Sequence, residues 1–105
     1  MFKDLTPLEL HEYLEFNSPL ILDVREIWEY EKCHLDNSLL MPMGSIMSLI
    51  DTLDKDKETV VVCHHGIRSI QVARYFLSIG FTNIINLKGG LDAWARDVDP
   101  SMNTY

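Results

Sequence analysis

The reactive side chains of this sequence crowd into seven residues, Cys63-His64-His65-Gly66-Ile67-Arg68-Ser69. A thiol opens the run and a guanidinium follows after four intervening residues. Thiolate, not thiol, is the nucleophilic form of cysteine, and nearby N–H groups and cations favour it. Gly66 lets a short loop curl so that successive N–H groups face inward as an anion nest. Arg68 adds a planar cation suited to an oxyanion. The spacing therefore describes a sulfur nucleophile inside a cradle for a small oxyanion. A buried, inert cysteine is the bland alternative. The glycine, the arginine and the helical pattern after Ser69 weigh against it. His64 and His65 read first as loop residues whose N–H groups matter, and second as acid–base groups.

A cradle of this kind needs a strand to end at the thiol and a helix to begin just beyond it. "TVVVC" (Thr59–Cys63) is the clearest buried strand in the chain. "SIQVARYFLSIG" (Ser69–Gly80) reads as the helix, with Ile70, Ala73, Phe76 and Leu77 on one face and Gly80 placed to end it. The helix would lend its unpaired N–H groups and positive dipole end to the sulfur.

The other elements alternate in the same manner. Thr6, Pro7 and Glu9 form a capping box for a first helix over "LTPLELHEYLEF". "LILDV" (Leu20–Val24), "SLLMP" (Ser38–Pro42) and "NIINL" (Asn83–Leu87) read as further strands. "REIWEYEKC" suits a short helical turn, "SIMSLIDTL" (Ser45–Leu53) a helix, and "GLDAWARDV" a last short helix that buries Trp94. The tail "DPSMNTY" reads as extended. Strands alternating with amphipathic helices imply α/β architecture, a parallel sheet covered on both faces. Ligands then bind at the carboxyl ends of strands, where Asp23, Arg25 and Cys63–Ser69 all fall.

Bulk properties limit the function. With 105 residues, the chain fits one domain spanning residues 1–105. At 47% hydrophobic and 24% charged it has an ordinary globular composition. A formal charge of −7 argues against nucleic acid as partner. It also offers no long-range attraction to anions, so an anion site must be built locally. Two cysteines, Cys33 and Cys63, make no disulfide framework. No apolar stretch has the length of a membrane span and the N-terminus has no apolar h-region, so a cytoplasmic location is the expectation.

The loop "CHHGIRS" resembles the active-site loop of the rhodanese-like domains, which are sulfurtransferases. "LILDVREIWEYEKCHL" is similar to that family's strand followed by D-V-R-E, an E-Y pair and a histidine. "INLKGGLDAW" resembles its last strand, Gly-Gly turn and tryptophan, and "VDPSMNTY" the tail of many members. The ordered set runs from about Leu5 to Tyr105. The resemblance implies a three-layer rhodanese-like fold with about five parallel strands and helices on both faces. It implies that Cys63 is the catalytic nucleophile and carries a persulfide between two displacements. His64, His65, Gly66, Ile67, Arg68 and Ser69 would bind the donor, with Arg68 on a sulfonate. The implied donor is a small molecule, thiosulfate or a persulfide. The implied acceptor is cyanide or a thiol, including a thiol on a partner protein. No cofactor and no metal are expected, and neither nucleic acid nor a membrane is expected as a partner.

Two features depart from the family pattern. Cys33 stands where a small residue is usual, and Asp36-Asn37 stands where Pro-Gly is frequent. Asp23 and Arg25 read as a supporting ion pair more readily than as substrate contacts. Cys33 reads as incidental rather than as a resolving thiol for Cys63. The two Cys-His pairs lack the close ligand spacing of a zinc module. A carrier or docking role for a biosynthetic partner is the first alternative function. Phosphatase or arsenate reductase chemistry is the second, disfavoured because related phosphatases carry one more residue between cysteine and arginine.

Overall fold

The computed structural model describes residues 1–105. Five strands form one parallel sheet: β1 (Lys3–Leu5), β2 (Leu20–Asp23), β3 (Ser38–Leu40), β4 (Thr59–Val62) and β5 (Ile84–Leu87). Five α-helices connect them: α1 (Pro7–Tyr13), α2 (Ile27–Lys32), α3 (Ile46–Leu49), α4 (Ile67–Ser78) and α5 (Gly90–Asp97). The strand order is β1-β5-β4-β2-β3. From β2 the chain moves outward to β3, and from β4 it moves the other way to β5. The connections therefore diverge between β2 and β4, whose register pairs Asp23 with Val62. Open parallel sheets bind ligands in the crevice at such a switch point.

Side chains alternate across a strand with period two, which sorts the core into two clusters. Val60, Val62, Ile85 and Leu87 face α1 and α5 with Leu10, Leu91 and Trp94. Leu22, Val24, Val61, Cys63 and Ile84 face the other way, against Val72, Ala73 and Phe76 of α4 and Ile46 of α3. This parity puts the Cys63 side chain on the α4 side of the sheet.

Strand ends differ from the sequence reading by one or two residues, and three elements differ in kind or start. The edge strand β1 pairs Lys3–Leu5 with Ile85–Leu87; a three-residue charged segment has no apolar alternation that would mark it as a strand. Helix α4 begins at Ile67 instead of Ser69, because Gly66 in the left-handed region (φ 92°) serves as its N-cap. The helix expected over Ser45–Leu53 is a broken one, with 3₁₀ turns at Met43–Ser45 and Ile50–Thr52 flanking the four residues of α3. The capping box of α1 forms as expected, Thr6 N–H donating to Glu9 and Glu9 N–H to Thr6. At Asn37 the backbone takes φ 62°. Asparagine tolerates that region, so it makes the turn a glycine would otherwise make. No helix is long and apolar enough to cross a membrane.

Candidate active site

Cys63 leaves the end of β4 and is 1% exposed. Its Sγ accepts from the backbone N–H of Gly66 at 3.0 Å and of Ser69 at 3.4 Å. Both amides belong to the N-terminal turn of α4, where no intrahelical acceptor exists for them. The fold therefore aims unpaired donors and the positive end of a twelve-residue helix at one sulfur. A side chain at Gly66 would be strained here. A Cβ would lie 3.1 Å from the Gly89 nitrogen, and φ is positive.

Loop polarity is enforced from α5. Leu91 N–H donates to the Cys63 carbonyl at 2.9 Å, and Asp92 N–H to the His64 carbonyl at 3.0 Å. With these carbonyls held outward by a second helix N-terminus, the amides further along the loop turn toward Sγ. Gly90 permits the approach, since a Cβ there would collide with the His64 carbonyl. In the sequence the Gly-Gly pair reads only as a turn. Its part in fixing the loop carbonyls is a product of the tertiary structure.

Ser69 is fully buried. Its Oγ lies 3.3 Å from Cys63 Sγ and donates to Asn86 Oδ1, while Asn86 Nδ2 donates to Asp4 Oδ1 at 2.9 Å. A carboxylate only accepts, so Asp4 fixes the amide orientation of Asn86. Asn86 Oδ1 then claims the Ser69 hydroxyl proton, and the Ser69 lone pairs face the thiol proton of Cys63. Sequence reasoning misses Asp4 and Asn86; a polar residue inside the apolar run of β5 is the available signal.

Arg68 does not point into the cradle. Its Nη1 and Nη2 bond Glu29 Oε1 and Oε2 at 2.7 and 2.8 Å. Glu29 is 4% exposed, and it also accepts from Glu26 N–H at 3.0 Å and from the Tyr105 hydroxyl at 2.8 Å. The Arg68 hydrogen bonds hold the Glu29 carboxyl down at about 2, and the same bonds raise Arg68 above its ordinary value. Arg68 is thus bonded to Glu29 through both terminal nitrogens, where the sequence reading expects it on a sulfonate. A buried charge demands a partner, and Arg68 and Glu29 supply each other with one across the gap between α4 and α2.

Asp23 and Arg25 form the expected ion pair, both fully buried, with Nε–Oδ1 at 2.8 Å and Nη2–Oδ2 at 2.6 Å. Arg25 also donates to the carbonyls of Glu29 and Cys33 and to the Tyr105 hydroxyl. It braces α2 and the tail against the end of β2. Tyr105 stacks on His64 with centroids 4.0 Å apart and meets Trp28 edge-on at 5.5 Å. Burial pushes its hydroxyl up to about 12. The tail is thus part of the site's wall, which its sequence does not suggest.

The remaining expected residues fall around the rim. His64 is half-buried, and burial, with His65 nearby, lowers its basicity. His65 is exposed and lies 3.9 Å from Asp92. His64, His65 and Asp92 bring three ligand atoms within 4.8 Å of one another. The two imidazoles stack with centroids 3.9 Å apart and planes tilted by 30°. Ile67 is 70% exposed. Cys33 is half-buried under the tail, with Sγ 3.9 Å from Arg25 Nη1. His34 stacks on Tyr30 and bonds its carbonyl at 2.8 Å, bracing α2. A cleft of about 680 Å³ lies at the amino ends of β2 and β3 between His11, Ile21, Leu35 and Trp94, away from Cys63.

Comparison with known proteins gives the family of the chain. Residues 6–97 match the rhodanese-like domain family. A thiosulfate sulfurtransferase GlpE from Coxiella burnetii is 34% identical over 94 residues, covering 90% of this chain and 88% of that protein. The putative sulfurtransferase YtwF of Bacillus subtilis is 35% identical over 99 residues, covering 93% and 95%. The crystal structure of a rhodanese-related protein from Thermoplasma volcanium superposes with a TM-score of 0.84 at 27% identity, covering 92% and 94%. With the matching fold and the family's loop at the switch point of the sheet, the chain belongs to the rhodanese-like domain family, an enzyme of the sulfurtransferase class.

Proposed function

We propose that the chain moves a sulfane sulfur from thiosulfate or a persulfide to a thiol or cyanide through a persulfide on Cys63. The observation that carries this reading is the Cys63 sulfur itself, buried and accepting from Gly66 and Ser69 amides at the start of α4. Cys63 thiolate attacks the outer sulfur of thiosulfate. The new S–S bond forms as the old one breaks, and sulfite departs with its electron pair. A second nucleophile attacks the outer sulfur of the persulfide and returns Cys63 to thiolate. Splitting the transfer this way is covalent catalysis. The loop amides of Gly66 to Ser69 stabilise negative charge on either sulfur without reorganising. Because Cys63 is almost closed off, only a narrow terminal atom can reach it, and a sulfane sulfur is such an atom. Asp23 and Arg25 support the site and do not touch the donor.

Treatment with thiosulfate is expected to add the mass of one sulfur to the peptide carrying Cys63 and none to that carrying Cys33. Cys63→Ser is expected to abolish both the adduct and thiocyanate formation. Failure of every sulfane donor to modify Cys63 would sink the proposal. A protein acceptor is favoured by exposed Ile27, Trp28 and Ile67, all in segments that follow the carboxyl ends of β2 and β4. Capture of a partner by the persulfidated form and not by the reduced form would support that acceptor; fast small-thiol turnover with no state-dependent partner would count against it.

A further inference from the structure

We infer that Glu29 is a specificity-determining residue that neutralises Arg68 and tunes the site toward sulfur donors of low charge, persulfides before the thiosulfate dianion. The inference rests on the sulfur-transfer reading and deepens it. Each Glu29 oxygen accepts two hydrogen bonds. Oε1 takes Arg68 Nη1 and Glu26 N–H, and Oε2 takes Arg68 Nη2 and the Tyr105 hydroxyl. Tyr105 is itself fixed by Arg25 Nη1 at 2.9 Å and by its stack on His64. No acceptor lone pair of Glu29 is left over, so the buried carboxylate is fixed in place and holds Arg68 through both terminal nitrogens.

The charges around Cys63 then cancel. Asp23 offsets Arg25 and Glu29 offsets Arg68, with both pairs bonded through two atoms on each side. Arg68, with 35% of its side chain exposed, keeps outward N–H groups that can hydrogen-bond a donor, but it brings no net charge. What remains for an anion are the amides of the loop, whose attraction is short-ranged. Thiosulfate brings two negative charges toward a nucleophile that is itself negative. A persulfide of an uncharged thiol brings at most one. The chain's net charge of −7 adds no long-range help to either.

For the persulfide donor R–S–SH, Cys63 thiolate takes the outer sulfur and the R–S⁻ thiolate leaves with the bond pair. No oxidant or reductant is consumed. The oxidation level of the transferred sulfur is carried over.

The test compares Cys63 persulfide formation from thiosulfate and from the persulfide of 2-mercaptoethanol, each normalised to its reaction with a free thiol. Glu29→Gln keeps the shape and an acceptor for Arg68 but removes the charge. It is expected to raise the thiosulfate-to-persulfide ratio of kcat/KM by at least about fivefold, mainly through KM for thiosulfate. Glu29→Asp keeps the charge and is expected to keep the wild-type ratio. An unchanged ratio in a folded Glu29→Gln would overturn the inference while leaving sulfur transfer intact. Should that variant not fold, the wild-type protein decides the matter: a normalised preference for the persulfide of about tenfold or more is expected, and equal use of both donors overturns the inference. A wild-type Cys63 that gains sulfur from neither donor would overturn the sulfur-transfer reading as well.

Discussion

Glu29 is buried beside Arg68, and its carboxyl is held at about 2 against an ordinary 4.5. The folded-state value is depressed, so the stability it confers is fully present above about 4.5 and is lost as pH falls through about 2. The difference corresponds to roughly 3 kcal/mol at neutral pH. Urea midpoints measured from pH 6 to pH 2 are expected to fall more steeply for the wild type than for Glu29→Gln, and the divergence should begin near pH 4.5. Arg68→Ala leaves the Glu29 charge without its main partner and is expected to cost about 3–5 kcal/mol. It should also depress thiosulfate use more than use of a low-charge persulfide. The double variant Arg68→Ala/Glu29→Gln should recover part of both losses, because the two residues act as a pair. Chemical denaturation and paired donor assays on the three variants measure this directly.

At the scale of elements, two helix N-termini meet one loop. Helix α4 turns amides toward Cys63 Sγ, and α5 holds the Cys63 and His64 carbonyls away from it. Gly90 is where α5 touches the loop backbone, with φ 64° and no room for a Cβ. Gly90→Ala must displace either the loop or α5. It is expected to cost more than about 2 kcal/mol and to reduce persulfide formation at temperatures where the protein is still folded. Thermal unfolding and single-turnover kinetics well below the unfolding transition separate the two effects. A fully active, equally stable Gly90→Ala would show that α5 does not position the loop. Gly44, by contrast, faces open space, with no atom within 4 Å of where a Cβ would stand, and its replacement by alanine should leave the loop unaffected.

Over the whole molecule the field is acidic, −7 on 105 residues. The two guanidinium groups at the site are paired with carboxylates and add no net charge to it. If thiosulfate is the donor, it approaches against the chain's net charge. Raising ionic strength from about 0.02 to about 0.2 M shortens the screening length below the size of the molecule and is expected to raise kcat/KM for thiosulfate about two- to fivefold. Use of a 2-mercaptoethanol persulfide should change less. Steady-state kinetics over a salt series, with an uncharged osmolyte as control, supply the check. A fall in thiosulfate use with salt would mean that an unpaired cation attracts the donor.

Local pattern is enough for much of this molecule. The valines of β4 alternate between two cores, the apolar face of α4 repeats at helical spacing, and Thr6 and Glu9 cap α1. From these the α/β class, the strand end that carries Cys63 and the loop from His64 to Ser69 can all be read, since each depends on neighbours within a few residues. The Asp23–Arg25 pair is legible for the same reason. The edge strand β1 is not, because its partner β5 lies some eighty residues away and its own side chains carry no period. Nor is the bonding of Arg68, Asn86 and Tyr105. Glu29 meets Arg68 across 39 positions, Asn86 meets Asp4 across 82, and Tyr105 meets Arg25 across 80. Sequence spacing determined that a thiol and a guanidinium share one loop. Tertiary structure decided that the sulfur receives the amides while the guanidinium is held by a buried carboxylate, because only the packed sheet brings the carboxyl ends of β2 and β4 side by side.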